Sequence, residues 1–433
     1  MMERDLIAIL GFIVLFTMIF LRVPVGIAMG LVGLGGFAAV VSVDPALATL
    51  ASSPIRTVTN YNLSLIPMFI LMGVFATATG MSRELFRVGQ AWLGRFKGGM
   101  AMSTLAACGG FAAICGSSVA TAATMTKVAL PEMQRQGYSN SVASGVIASG
   151  GTLGILIPPS VVLVLYGFLT EQDIGKLLVA GIIPGILAIG VQIAVIRIIA
   201  WRRPDSMPQG ERTDWREKFN SLRGVWAVIL LFMAVVGGIY LGVVTPVEAA
   251  ALGAVCTFII GVVRGRLDFP TTVKCLIEAL RTSVSIFMIL VGAMLFSYFL
   301  AVTQTPQALT SWLVSLPIGD YGVLLLILAA FIIMGCVLDP MAMIILMVPI
   351  VFPVVQSLGF DPIWFGILVV VAVEMGMITP PIGINCFIIR SVAPNVTLGQ
   401  VYKGVLPFVM SDFVRLGLLL LFPWLVLVLP NSM

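Results

Sequence analysis

The chain has 433 residues, of which 60% are hydrophobic and 10% charged, and its net charge is +5. A soluble domain has roughly 25% charged residues, and the mean hydropathy here is +1.12. The composition therefore excludes a soluble enzyme, a disordered protein and a nucleic-acid-binding protein, and no nucleic-acid partner is expected. The sequence also contains no histidine, which removes histidine-based acid–base catalysis and most zinc sites. A polytopic protein of the lipid bilayer remains.

Apolar segments predict about ten membrane-spanning helices, each needing ~20 residues. In chain order they are residues 6–21, 24–42, 62–80, 140–170, 176–201, 223–244, 246–263, 282–303, 362–391 and 402–430. Two further apolar regions, 99–134 and 319–357, are too long for one span and are interrupted by small or polar residues. We interpret these two regions as re-entrant helical hairpins.

The distribution of basic residues orients this arrangement. If the basic segment 201–223 is cytoplasmic, most of the 24 Lys and Arg residues fall on the cytoplasmic side, as the positive-inside rule requires. Both termini are then outside, the hairpin at 99–134 opens from the cytoplasm, and the hairpin at 319–357 opens from the periplasm. Segments 82–98 and 306–316 are predicted to be interfacial arm helices that join spans to hairpins.

Motifs recur in the two halves at one fixed spacing. Gly154 and the pair Pro158-Pro159 correspond to Gly376 and the pair Pro380-Pro381, each 222 residues later. We divide the chain into repeats at 1–222 and 223–433, each with about five spans and one hairpin. Because five is odd, the two repeats have opposite topology. Inverted repeats with paired broken helices, here 140–170 and 362–391, are typical of secondary transporters.

The breaks in these helices are the predicted binding sites. Broken backbone at membrane depth is tolerated where it lines a cavity or binds a ligand. Carbonyls at half-helix ends favour a monovalent cation such as sodium, whereas half-helix N-termini favour an anion. The predicted ligands of the first sodium site are Ser117 and the carbonyls of Gly154, Ile157 and Pro159. Those of the second are Gly335, Asp339, Gly376 and Thr379. The predicted substrate-binding residues are Ser117, Ser118, Thr121, Thr152 and Asp339.

Four other ionisable residues in apolar segments are predicted to have structural roles. Glu374 precedes the second break and is expected to brace it. Asp412 and Arg415, three residues apart on the last span, are expected to form a local ion pair. Lys127 is interpreted as a lysine whose ammonium reaches toward the cytoplasmic surface.

The residues around the breaks resemble the large membrane subunit (M subunit) of a TRAP transporter, a tripartite ATP-independent periplasmic transporter. The resembling stretches are 109–122, 150–160, Asp339-Pro340 and the motif Gly376-x2-Thr379-Pro380-Pro381-x-Gly383. Length and layout agree over essentially the whole chain. The resemblance implies an all-α polytopic fold of the elevator type, with scaffold and transport domains.

The same resemblance implies what the protein does and with which partners. It implies uptake of a carboxylate-bearing solute, namely a dicarboxylate, sialic acid or other sugar acid, driven by sodium across the bacterial inner membrane. The implied partners are a small four-helix membrane subunit and a periplasmic substrate-binding protein. The resemblance does not choose the substrate.

Three other functions are weighed against this one. The first is a self-sufficient sodium- or proton-coupled dicarboxylate symporter. Such proteins resemble one another in having Ser-Asn-Thr at both hairpin tips. This chain has Ser-Ser-Val and Asp-Pro-Met there, which counts against this alternative. A membrane-embedded enzyme needs an acid–base pair or a metal cluster, which the sequence does not offer. A channel is disfavoured because the two tips differ in chemistry.

Overall fold

A computed structural model describes residues 2–203, 206–210 and 214–433, and within this part the chain is helical. Arg212, counted above among the cytoplasmic basic residues, lies outside the described residues. The helices before residue 204 are α1 (Met2–Phe20), α2 (Val25–Val40), α3 (Val43–Val58), α4 (Leu65–Ala78), α5 (Met81–Leu93), α6 (Gly99–Cys115), α7 (Ser118–Arg135), α8 (Asn140–Thr152), α9 (Val161–Thr170), α10 (Ile174–Ala180) and α11 (Ile182–Arg202).

The helices after residue 213 follow the same pattern of long apolar helices and short connections. They are α12 (Trp215–Phe232), α13 (Gly238–Tyr240), α14 (Pro246–Val263), α15 (Phe269–Thr303), α16 (Thr305–Val314), α17 (Gly319–Gly335), α18 (Pro340–Ser357), α19 (Pro362–Ile378), α20 (Ile384–Val392), α21 (Leu398–Leu421) and α22 (Trp424–Leu427). Seven helical segments in the described part are long and apolar enough to cross a membrane. The all-α, multi-pass fold class is therefore confirmed.

The two regions interpreted as hairpins are each a pair of helices joined by a tight break. In the first, α6 ends at Cys115, and the next residue, Gly116, has a φ of +62° that is accessible mainly to glycine. Ser117 then caps α7, because its Oγ accepts a hydrogen bond from the Ala120 amide at 3.3 Å. In the second, Asp339 caps α18 by accepting from the amides of Met341 and Ala342.

Both broken helices are interrupted where prolines remove amide donors. In the first, α8 continues as a 3-10 turn at Leu153–Ile155 and the chain resumes as α9 at Val161. In the second, α19 ends at Ile378 and α20 begins at Ile384. The amide of Gly383, within this second break, donates a 3.1 Å hydrogen bond to the carbonyl of Cys336 in the second hairpin tip. The break and the tip are therefore one packed unit.

The helix bounds keep the 222-residue spacing found in the sequence. Helix α7 starts at Ser118 and ends at Arg135, and α18 starts at Pro340 and ends at Ser357, so both ends are 222 residues apart. The two halves also exchange packing partners. Helix α20 of the second half packs against α7 of the first hairpin, and α9 of the first half packs against α18 of the second hairpin. Each hairpin thus receives the second part of the other half's broken helix.

Glycines allow close backbone contact in the group of helices outside the hairpins. Helix α2 packs along α15, and α4 packs along α14. A Cβ atom on Gly33 would lie 2.5 Å from the backbone of Leu295, and one on Gly26 would lie 2.8 Å from the backbone of Ile289. Small residues at helix interfaces are what permits such approach in membrane proteins.

Several predicted bounds were wrong. The arm helix predicted at 82–98 ends at Leu93, because the chain turns through Gly98 with φ +74° before α6 begins. The span predicted at 402–430 ends at Leu421, because Pro423 disfavours helical backbone at Phe422. The arm predicted at 306–316 corresponds to α16.

Three helical segments were missed in whole or in part for a common reason, namely that their polar residues lower the hydropathy from which spans were predicted. Helix α12 starts at Trp215, capped by Asp214, so the predicted division at 222 falls within a helix. Helix α15 starts at Phe269 instead of 282. Asp268 caps the start of α15 by accepting a hydrogen bond from the Thr271 amide. The hydroxyl and the amide of Thr271 lower the pKa of this Asp268 carboxyl. Helix α3 was not predicted at all, since its sequence mixes Ser, Thr, Asp and Pro54 with apolar residues.

Candidate functional site: the cavity at the hairpin tips

A cavity of about 1000 Å³ lies between the two hairpin tips and the helices α2, α4 and α15. Its walls include Cys115 to Ser117 of the first tip and Asp339 of the second. Residues of α15 between Glu278 and Ile289 form a further part of the wall. This volume is at the upper end of the range of ligand pockets in proteins.

The cavity extends from the tips toward one end of the helix bundle. It is lined by the beginning of α2 from Pro24, the end of α4 as far as Thr77, and the first half of α15. At this end Glu84 of α5 accepts a 2.6 Å ion-paired hydrogen bond from Arg264, and Arg266 lies 3.4 Å from the same carboxylate. An excess of basic residues marks the cytoplasmic side of a membrane protein. The cavity thus lies on the predicted cytoplasmic side of the tips.

Two of the five predicted substrate-binding residues line this cavity, namely Ser117 and Asp339. The other three are buried and hydrogen-bonded in the surrounding helices. Thr121 Oγ1 donates to the carbonyl of Ser117 at 2.8 Å, and Thr152 Oγ1 donates to the carbonyl of Ser149 at 2.8 Å. Ser118 is bonded across the two halves, as described below.

Most of the residues predicted for the first sodium site lie together. A Cβ on Gly154 would lie 2.6 Å from the Ser117 carbonyl oxygen, and one on Gly116 would lie 2.5 Å from the Pro159 carbonyl oxygen. The first tip therefore packs backbone to backbone on the first break. The side chain of Ile157 packs beside Gly185 of α11, and the role of its carbonyl stays a prediction. A cradle that only glycine permits fits an oxygen-lined cation site.

The residues predicted for the second sodium site form a similar contact. A Cβ on Gly376 would lie 2.6 Å from the backbone of Gly335, so α17 and α19 touch at their glycines. The Thr379 amide donates to the Gly376 carbonyl at 3.1 Å, and the Thr379 hydroxyl donates to the Met375 carbonyl at 2.6 Å. Asp339 lies on the cavity wall, and its carboxylate accepts a hydrogen bond from the Met341 amide at the start of α18.

Asn385 belongs to this site and was not predicted. Its buried amide donates hydrogen bonds to Ser118 Oγ at 2.8 Å and to the Ala148 carbonyl at 3.2 Å. It thereby links α20 of the second half to the first hairpin tip and the first broken helix. A single amide in the apolar stretch after the second break was the available signal, because polar residues in membrane helices commonly bond between helices.

A buried charge cluster supports the second break. Arg415 Nη2 donates a 2.7 Å hydrogen bond to Glu374 Oε2 and lies 3.3 Å from Asp412 Oδ1, and all three side chains are essentially inaccessible to solvent. Glu374, which precedes the second break, is therefore joined to α21. The Gln192 amide faces Asp412 from α11. Breaking such a buried pair by removing one partner is strongly destabilising.

A second cavity, of about 950 Å³, lies among the cytoplasmic ends of α5, α7 and α12. Glu84, Arg87, Glu132 and Glu217 line it. It contains no residue of either tip or break, so the cavity between the tips is the candidate site.

Comparison with known proteins agrees with this geometry. The family profile of the "Tripartite ATP-independent periplasmic transporter, DctM component" matches residues 12–425. The chain is 37% identical to the C4-dicarboxylate TRAP transporter large permease protein DctM of Pseudomonas aeruginosa, over 92% of this chain and 93% of that protein. It is 28% identical to the sialic acid TRAP transporter large permease protein SiaM of Vibrio cholerae, over 96% of both chains.

The fold is also similar to that of a solved structure. The YdaH transporter of Alcanivorax borkumensis matches with a TM-score of 0.64 at 15% identity, covering 88% of this chain and 90% of that one. The profile match and the relatives together decide the family. This chain belongs to the DctM component family of tripartite ATP-independent periplasmic transporters and is a multi-pass transporter permease, not an enzyme.

Proposed function

We propose that this chain mediates the secondary active uptake of a carboxylate-bearing solute, driven by a sodium gradient. The solute is a dicarboxylate, sialic acid or another sugar acid, the first two of which appear in the names of the relatives. The observation that carries the proposal is the placement of both hairpin tips, through Ser117 and Asp339, on the walls of one cavity. A single site reached by two pseudo-equivalent tips suits alternating access.

Sodium coupling is supported by the backbone geometry at the two tips. Gly154 lies against Ser117, and Gly376 lies against Gly335, so close that a side chain at either glycine would displace the backbone. Carbonyl and hydroxyl oxygens at such breaks are suitable ligands for a hard cation. The first site would use Ser117 and the carbonyls of Gly154, Ile157 and Pro159, and the second would use Gly335, Asp339, Gly376 and Thr379.

The transport motion we propose is an elevator movement of the hairpins and broken helices relative to the remaining helices. The two inverted repeats, 1–222 and 223–433, supply one hairpin each. Support comes from the exchanged packing of α20 on α7 and α9 on α18, which joins the four broken elements into one body. The position of the cavity on the basic side of the tips corresponds to an inward-facing conformation.

The proposed partners are a small four-helix membrane subunit and a periplasmic substrate-binding protein. The family description "tripartite" and "periplasmic" supports both. It also supports a location in the bacterial inner membrane, since a periplasmic component can deliver solute only to that membrane.

Uptake into proteoliposomes tests the proposal. The chain, its small membrane subunit and its binding protein would be reconstituted, and carboxylates would be tested with and without an inward sodium gradient. Uptake that needs both the gradient and the binding protein supports the proposal. Uptake by the chain alone would favour the alternative, a self-sufficient sodium- or proton-coupled dicarboxylate symporter. Absence of uptake for every carboxylate would overturn both.

A further inference from the structure

One face of α7 lines the cavity from its beginning to the middle of the helix. The residues on this face are Ser117, Ala120, Thr124 and Lys127, at the spacing of three and four residues that places side chains on one side of a helix. Lys127 comes ten residues after Ser117, which corresponds to about 15 Å along the helix axis. Because helical side chains lean toward the N-terminus, the Lys127 ammonium is displaced toward the tip.

Lys127 is the basic side chain of the cavity. Among the described residues that line it, the other charged groups are the carboxylates Asp339 and Glu278. Lys127 is exposed, and no carboxylate of the described part lies within 4.0 Å of its ammonium. An anionic solute entering a cavity with two carboxylates needs a compensating positive group. Lys127 supplies one, and the N-terminus of α7 at Ser117 supplies another.

This placement differs from the interpretation of Lys127 as a residue reaching for the membrane surface. Arg135, at the end of α7, is eight residues further on, about 12 Å along the axis. The four-carbon stem of a lysine is shorter than this distance and does not bring the ammonium to that end. The cavity lining contributed by α15 includes the hydroxyl side chains of Thr282 and Ser285.

We propose that Lys127 binds a carboxylate of the transported solute on the cytoplasmic side of the hairpin tips, and so makes the membrane step selective for anions. The inference rests on the proposed function, which requires a carboxylate-bearing solute but assigns it no positive partner. A lysine ammonium is suited to this task because it acts as a mobile point charge that releases its ligand.

The first test measures the charge of the cavity without any substrate. Thr124→Cys places a thiol one turn from Lys127. The same protein carries Cys115→Ala, which removes the native cysteine that lines the cavity, so that the reaction of the new thiol can be followed. Its reaction rate is measured with an anionic sulfonatoethyl and a cationic trimethylammonioethyl methanethiosulfonate. We expect the anionic-to-cationic rate ratio to fall about tenfold in Lys127→Gln. Lys403→Gln, an exposed lysine outside the cavity, should leave the ratio unchanged. An unchanged ratio in Lys127→Gln would overturn the inference.

The second test uses the reconstituted complex with succinate and N-acetylneuraminate as probes. We expect sodium-driven uptake of at least one probe to fall tenfold or more in Lys127→Gln, to be largely retained in Lys127→Arg, and to be normal in Lys403→Gln. Normal uptake in Lys127→Gln would overturn this inference and leave the proposed function standing. If the unsubstituted complex takes up neither of these probes nor any other carboxylate, the proposed function fails and this inference fails with it.

Discussion

The side-chain amide of Asn385 donates a 2.8 Å hydrogen bond to Ser118 Oγ, 267 residues earlier in the chain. Asn385 lies in the second broken helix, and Ser118 is the first residue of α7 in the first hairpin. Both side chains are buried. The bond therefore holds an element of one half against the tip of the other, next to Ser117, which lines the cavity.

Asn385→Ala is expected to destabilise the protein by about 2 kcal/mol, because it leaves Ser118 Oγ and the Ala148 carbonyl without their shared donor. Thermal unfolding of the detergent-purified protein measures this loss. The matched control is Asn395→Ala, an exposed asparagine whose removal should change little. In a double-mutant cycle with Ser118→Ala, the two losses should be less than additive. Strict additivity would show that the bond contributes nothing.

Arg415→Met is expected to cost about 3–5 kcal/mol of stability, because it leaves Glu374 and Asp412 buried without a counter-charge. The unfolding temperature and the yield of folded protein measure the effect. Lys403→Met, an exposed lysine on the same helix, is the control. The triple variant Glu374→Gln, Asp412→Asn and Arg415→Met should recover most of the loss. A triple variant no better than Arg415→Met alone would contradict a purely electrostatic role for the cluster.

Asp339→Asn is expected to reduce sodium-driven uptake at least tenfold while the protein still folds. Asparagine keeps the cap that the amides of Met341 and Ala342 require, so α18 should begin at the same place. Asp339→Ala should abolish the same activity and in addition lose the cap. The control is Asp320→Asn, an exposed carboxylate in the first turn of α17. Unchanged uptake and unchanged sodium dependence in Asp339→Asn would remove this residue from the sodium site.

Gly376→Ala is expected to weaken sodium activation of transport at least tenfold and to lower stability by about 1–3 kcal/mol. The added methyl group would lie 2.6 Å from the backbone of Gly335, so α17 and α19 would have to separate. The matched control is Gly190→Ala in α11, where a Cβ meets nothing within 4 Å. That control should be neutral or stabilising by up to ~1 kcal/mol. Sodium dependence that is the same in both variants would argue against an ion site at this contact.

The positions of the breaks could be predicted closely because each has a local cause. Gly116, with its positive φ, and the proline pair at 380–381 favour a break locally, since glycine permits the left-handed conformation and proline removes an amide donor. The bounds of α7 and α18 follow from caps at Ser117 and Asp339, which are also local features. Bounds failed where a polar sequence was nevertheless helical, as in α3 and the first turns of α12 and α15.

The sequence by itself determined the class of protein, the apolar helices, the two interrupted hairpins and the spacing of 222 residues. Hydropathy, proline and glycine act over a few residues, so their effects can be read without knowing the fold. Only the tertiary structure decided that Asn385 meets Ser118, that Arg415 pairs with Glu374, and that Lys127 lines the cavity. These contacts join helices distant in the chain, and their partners depend on which helix faces pack together.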